Sequence, residues 1–131
     1  MTQQPKIPSA KRGFTLIELL VVMAIIAVLL SLAVPRYFGR IDAAKETVLR
    51  ENLHQIRDAL DKYYGDHNRY PSTLQELVSA KYLRHIPPDP ITGSDQTWVI
   101  VAPTDASKGG VYNLRSGAPG KGRDGTPYKD W

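Results

Sequence analysis

Gly13-Phe14-Thr15-Leu16-Ile17-Glu18 is followed at once by Leu19-Leu20-Val21-Val22-Met23-Ala24-Ile25-Ile26-Ala27-Val28-Leu29-Leu30. The apolar run continues to Val34, broken only by Ser31, and Pro35 comes next. As a helix, Phe14 to Val34 would be about 31 Å long at ~1.5 Å per residue, enough to cross the hydrocarbon core of a bilayer. One carboxylate, Glu18, lies inside this stretch, near its start. A lone acid at the centre of a membrane helix costs roughly 2.5–3.5 kcal/mol, and less near the interface. A plain anchor has no use for such a group. Glu18 is therefore a functional candidate that needs a partner.

On the N-terminal side, residues 1–13 carry Lys6, Lys11 and Arg12, with Pro5 and Pro8 and no apolar centre. An ordinary secretory signal has its apolar region before a small-residue cleavage site. No such apolar region precedes Gly13 here. The three cations favour a cytoplasmic N-terminus by the positive-inside rule, although Arg36 and Arg40 flank the far side.

On the C-terminal side, Ile41, Ala44, Val48, Leu49, Leu53, Ile56, Leu60, Tyr63 and Tyr64 recur at three- and four-residue steps. Charged residues, Glu46, Arg50, Arg57 and Asp58 among them, are assigned mostly to the other faces. This is an amphipathic helix with one buried stripe. The i,i+4 pairs Glu46–Arg50, Arg57–Asp61 and Asp58–Lys62 mark a solvated face. Gly65 and Asn68 supply the stop. Pro35 removes a backbone donor and clashes with the carbonyl of Ser31, so one long helix with a kink or local melting is expected there. The alternative is two helices joined by a linker.

Beyond the helix, Ser72–Gln75 and Thr73–Glu76 both fit a capping box ahead of Leu74, Leu77 and Val78. Pro87, Pro88 and Pro90 forbid regular structure. Thr97-Trp98-Val99-Ile100-Val101 and Val111-Tyr112-Asn113-Leu114 read as short strands. The expected fold class is α+β: a long N-terminal helix, its second half packed on a small antiparallel sheet of two or three strands.

At 131 residues there is room for one small domain and the apolar arm. With no cysteine, a disulfide framework, a thiolate zinc site and a cysteine nucleophile are all excluded. The net charge is +4, and without Lys6, Lys11 and Arg12 it is +1. That is weak support for a nucleic-acid partner. His54, His67 and His85 do not pair with a serine or acid at motif spacing. No phosphate loop, HExxH or dinucleotide fingerprint is present, so the chain reads as no enzyme.

The basic leader, the Gly13-Phe14 junction, Glu18, the apolar run and Pro35 resemble the N-termini of type IV prepilins and type II secretion pseudopilins. The Tyr70-Pro71 loop, the Leu74–Leu83 segment, Pro87-Pro88-Asp89-Pro90 and the Gly-rich end resemble the major-pseudopilin family. The resemblance implies a type IV pilin-like fold. It also implies a cytoplasmic-side peptidase that cuts between Gly13 and Phe14 and methylates the new Phe14 amine. Residues 1–13 are then a leader, 14–35 a transmembrane and filament-core helix, and 36–131 a soluble domain. Within that domain we expect a helix over 36–64, a short helix over 73–80, strands at 97–101 and 111–115, and a loop over 116–131.

The implied role is a structural subunit of a pseudopilus that drives protein export. The alternative is a type IV pilus subunit in adhesion, motility or DNA uptake. Implied partners are copies of the chain, minor pseudopilins, inner-membrane assembly proteins and the prepilin peptidase. The implied location is the inner membrane in a single pass, with the C-terminal domain in the periplasm. The cleaved Phe14 amine supplies the cation that Glu18 lacks within its own run. Pairing between neighbouring subunits would set their stagger.

The resemblance further implies calcium in the C-terminal loop, held by aspartates and carbonyls. Here Pro119 stands where the family usually has an aspartate, and Asp124 is alone where paired acids are common. Lys121 and Arg123 would repel a dication. The expectation is little calcium stabilisation, with Pro127, Tyr128 and Trp131 packing the loop on the sheet. Arg115, Lys121, Arg123 and Lys129 form a basic stripe of the kind some minor pilins use for DNA, but Asp124 and Asp130 dilute it.

Overall fold

The computed structural model describes residues 2–5 and 13–131. Lys6, Lys11 and Arg12 lie outside the described residues. Helix α1 spans Leu16–His67 and α2 spans Leu74–Ser79. Strands β1, Val99–Val101, and β2, Asn113–Arg115, form a two-stranded antiparallel sheet. Single 3-10 turns occur at Ala106–Lys108 and Tyr128–Asp130. The chain divides into two compact units, Met1–Phe38 and Gly39–Trp131. The expected fold class is the one observed: a long N-terminal helix and a small antiparallel sheet.

In the first unit, α1 begins because Thr15 caps it. The Thr15 hydroxyl oxygen accepts the Glu18 N–H at 3.1 Å, and the Leu19 N–H reaches the Thr15 carbonyl at 3.1 Å. Thr15 and Glu18 have the spacing of a capping box, which satisfies helix donors that would otherwise be orphaned. The helix continues through Pro35 and Gly39. It is long and apolar enough to cross a membrane, and none of that apolar window is buried.

The second unit is built on the remainder of α1. Its buried residues are Glu46, Leu49, Leu53, Ile56, Ala59, Leu60 and Tyr63. This is the stripe expected from the sequence, with changes at its edges. Ala44 and Val48 are exposed, and Glu46 lies inside. Asn68, at φ 55°, adopts the left-handed conformation that ends a helix, while Gly65 is still helical. Leu77, Leu83, Ile86, Trp98, Val111 and Leu114 close over the stripe.

Both strands are shorter than the sequence suggests. Residues 97 and 98 are drawn off to the proline segment. The Trp98 indole N–H donates to the Pro87 carbonyl at 2.9 Å, and the Thr97 hydroxyl bonds that of Thr92 at 2.7 Å. Val111 donates its N–H to the Pro71 carbonyl at 3.0 Å instead of to β1. Ile100 faces Leu114 in the register. Gly117 must lack a side chain, because a Cβ there would stand 2.0 Å from the Thr97 carbonyl oxygen.

Candidate functional site

Two segments carry the residues singled out by the sequence. The first is the start of the apolar arm. Gly13 and Phe14 precede the helix, and Phe14 is 83% exposed. This junction lies outside α1, which begins at Leu16. Glu18 is exposed in the first turn of α1. A carboxylate there faces the positive end of the helix dipole, a stabilisation of about 0.3–1 kcal/mol. Pro35 lies within the helix, far along the chain from Glu18.

The second segment is the C-terminal loop. Gly120 and Gly125 adopt φ of 90° and 85°, a region that favours glycine. They allow a tight reversal in which residues 121 and 127 pair as an isolated antiparallel bridge. The Gly122 N–H donates to the Thr126 carbonyl at 2.9 Å, and the Gly125 N–H returns to the Gly122 carbonyl at 3.0 Å. The Tyr128 N–H reaches the Gly120 carbonyl at 3.2 Å, and the Trp131 indole N–H donates to the Thr126 carbonyl at 3.2 Å.

Three side chains of α1 hold this loop. Glu46 Oε1 accepts the Arg123 N–H at 2.8 Å and the Tyr128 hydroxyl at 3.2 Å. Arg50 pairs with Asp124 at 3.6 Å and lies 4.3 Å from the centre of the Trp131 ring. Arg57 Nε donates to Asn113 Oδ1 at 2.9 Å. Its Nη2 donates to the Leu114 carbonyl at 3.0 Å and to the Trp131 main-chain oxygen at 2.7 Å. Burial, and then the nearby Arg115, lowers the pKa of Arg57 from its ordinary value. Three acceptors in a fork geometry compensate for that desolvation.

Two of the i,i+4 ion pairs expected along α1 therefore give way. Only Asp58–Lys62 forms among the described residues, at 2.9 Å. Glu46 and Arg57 turn to main-chain groups of the loop, because the helix face that carries them is covered by it. Glu46 was legible in principle: it falls on the three- and four-residue spacing that continues through Leu49, Leu53 and Ile56. Arg57 has the same spacing between Leu53 and Leu60, but its acceptors, which come from β2 and Trp131, left no signal near it.

Asp89 was read only as part of a turn. It is fully buried, and its Oδ1 accepts the Ile91 N–H at 2.9 Å while Oδ2 accepts the Ser116 hydroxyl. The Ser116 oxygen in turn accepts the Ala118 N–H at 3.1 Å. The proline turn and the base of the loop are thus one hydrogen-bonded unit. A second network lies at the far end of α1. The Tyr63 hydroxyl donates to Glu76 Oε1 at 2.6 Å, the Ser72 N–H to Oε2 at 2.6 Å, and Arg69 sits 3.2 Å away. Tyr63 first, then Ser72, holds the Glu76 carboxyl down to about 2.

The loop does not fit calcium. A calcium ion takes six to eight oxygen ligands. Asp124 is the loop's acid nearest the expected position, and both its oxygens are engaged, Oδ1 by the Thr126 N–H at 2.9 Å and Oδ2 by Arg50. The Thr126 N–H, and then Arg50, hold its pKa below the usual carboxylate range. The carbonyls of Gly120, Gly122 and Thr126 already accept hydrogen bonds within the loop. Among the described residues, no group of three or more histidines or acids is placed to hold a metal. His54 and His85 are exposed, and His67 stacks on Tyr63 with ring centres 4.1 Å apart.

Comparison with known proteins gives two family matches. The prokaryotic N-terminal methylation motif matches residues 8–34, and protein G of the type II secretion system (T2SS) matches residues 36–126. The type II secretion system core protein G of Klebsiella pneumoniae is 35% identical over 133 residues, covering 89% of this chain and 88% of that protein. Those of Escherichia coli K12 and Pseudomonas aeruginosa are each 36% identical over 125 residues. They cover 83% of this chain and 82% and 84% of their own lengths. No solved structure gives a significant match.

Proposed function

We propose a filament-subunit role for this chain, which belongs to the protein G family of the type II secretion system. It is a pseudopilin, a structural subunit of the pseudopilus, anchored in a membrane by its apolar helix. The observation that carries this reading is the state of the first unit. Every large apolar side chain from Leu16 to Val34 is at least 43% exposed. A helix that is apolar all round needs lipid or other copies of itself around it. The small second unit, by contrast, covers its own core.

Membership of the family supports the following sequence of events. The leader keeps residues 1–13 in the cytoplasm, the prepilin peptidase cuts between Gly13 and Phe14, and the Phe14 amine is methylated. The domain from Arg36 onward stands in the periplasm. Copies leave the inner membrane and stack into a helical filament, apolar arms inward, with minor pseudopilins and inner-membrane assembly proteins as partners. The growing filament pushes substrates toward the outer membrane, with force supplied by other components. Pro35 marks where the helix leaves the arm. This chain contributes no catalysis.

Glu18 sets the stagger. A carboxylate in hydrocarbon needs a cation or neutralisation. Its own Phe14 is one turn away, so a neighbouring subunit's Phe14 amine, displaced along the filament, is the better partner. The test is a strain whose only copy is Glu18→Gln, with membrane-bound protein and sheared filaments measured together. Normal membrane levels and cleavage with loss of filaments are expected. Normal filaments would refute the registry role.

A further inference from the structure

We propose that three α1 side chains of this protein, Glu46, Arg50 and Arg57, lock the C-terminal loop in the place where a family member would use calcium. The disagreement between the loop and the ion is the starting point. Asp124, the loop acid nearest the expected position, already holds Arg50 and the Thr126 N–H. A dication would have to displace a guanidinium from it, beside two further cations, Lys121 and Arg123. The base of the loop is tied to the proline turn through Ser116 and Asp89, but beyond Gly120 the hydrogen bonds of the reversal close only on the loop itself.

The closure comes from α1 at three successive points on one helix face. Positions 46, 50, 53 and 57 are spaced by three or four residues, so they share a stripe. Glu46 holds the near side of the loop through the Arg123 N–H and the Tyr128 hydroxyl. Arg50 holds the tip through Asp124 and the ring of Trp131. Arg57 holds the far side through the Trp131 main-chain oxygen, and joins it to β2 through Leu114 and Asn113. A calcium ion would gather loop oxygens around a central positive charge. Here the positive charge is supplied by two guanidinium groups from outside the loop, and the one inward carboxylate serves loop donors. The Glu46 and Arg57 hydrogen bonds are charge-assisted and roughly twice as strong as neutral ones, while the exposed Arg50–Asp124 pair at 3.6 Å contributes less.

The lock is independent of filament assembly, so its test uses the isolated full chain in detergent. Amide hydrogen exchange is followed by mass spectrometry, in calcium and in chelator, for wild type, Arg57→Met and Arg50→Gln. For wild type, exchange over residues 118–131 and the melting temperature should be the same in both conditions, within about 2 °C. In Arg57→Met, exchange over 118–131 should rise at least tenfold while Leu74–Leu83 keeps its protection. Arg50→Gln, at an exposed position, should give a several-fold rise confined to the same residues. Calcium slowing loop exchange in wild type, or raising its melting temperature by more than about 5 °C, would overturn the proposal. So would unchanged loop exchange in Arg50→Gln, which decides the matter even where Arg57→Met fails to fold.

Discussion

Replacing Glu46 with alanine separates a buried anchor from a solvated charge. The side chain is 8% exposed, and its Oε1 accepts from Arg123 and from Tyr128, whose residue is 9% exposed. A hydrogen bond to a charged group contributes about 1.5–3 kcal/mol, and a buried donor left unpaired costs about 1–3 kcal/mol. Arg123 lies at the surface, so water can reach its N–H once the carboxylate is gone. The Tyr128 hydroxyl is the group left stranded. Removing a charged carboxylate also relieves its own desolvation, which offsets part of the loss. The net destabilisation worked from these contacts is about 2–4 kcal/mol. Both tryptophans, Trp98 and Trp131, lie in the second unit. Urea unfolding followed by their fluorescence therefore reports on that unit and not on the apolar arm. Glu51→Ala, at an exposed position on the same helix, is the control and should stay within about 0.5 kcal/mol of wild type. If Glu46→Ala were as mild as Glu51→Ala, the loop would not be held by this carboxylate.

Processing depends on a junction that a bulkier residue disturbs without touching the fold. Gly13 has open space around it, so Gly13→Leu should fold normally yet accumulate as uncleaved precursor in membranes; mature protein beginning at methylated Phe14 in that variant would show that processing does not depend on the glycine. The Tyr63–Glu76 network gives a pH dependence of definite sign. The Glu76 carboxyl is depressed from 4.5 to about 2, so its contribution is complete above pH 4.5 and fades as pH falls from 4.5 toward 2. Thermal melts at pH 7 and pH 3 should show a stability gap between wild type and Glu76→Gln that is widest at pH 7 and narrower at pH 3. A gap that does not shrink at the lower pH would mean the carboxylate's charge is not what the network uses.

Local pattern was enough to read the long helix, the capped short helix, the two strand-forming stretches and the irregular proline segment. Each is decided by neighbours within a few residues: apolar spacing for α1, Thr73 and Glu76 for α2, three prolines in four residues for the turn. The start of α1 was also legible, since Thr15 and Glu18 have capping-box spacing. Strand ends were not legible, because Val111 chooses between the Pro71 carbonyl and β1, and both are distant in sequence.

The charged residues of α1 show the division most clearly. By sequence alone, Glu46, Arg50 and Arg57 are members of i,i+4 pairs on a helix face, and nothing nearby contradicts that. The Gly13-Phe14 junction, the lone Glu18 and the apolar run broken only by Ser31 were legible in the sequence, because they lie in order and composition along one segment. So were the acids of the C-terminal loop, Asp124 and Asp130, each visible as a letter. What holds that loop was decided only by tertiary structure. Arg57 finds Leu114, Asn113 and Trp131 as acceptors, with partners up to 74 positions away, and Glu46 finds Tyr128 82 positions away. A buried charge must be satisfied by whichever donors or acceptors the folded chain brings to it. Those groups have no fixed offset from it in the sequence.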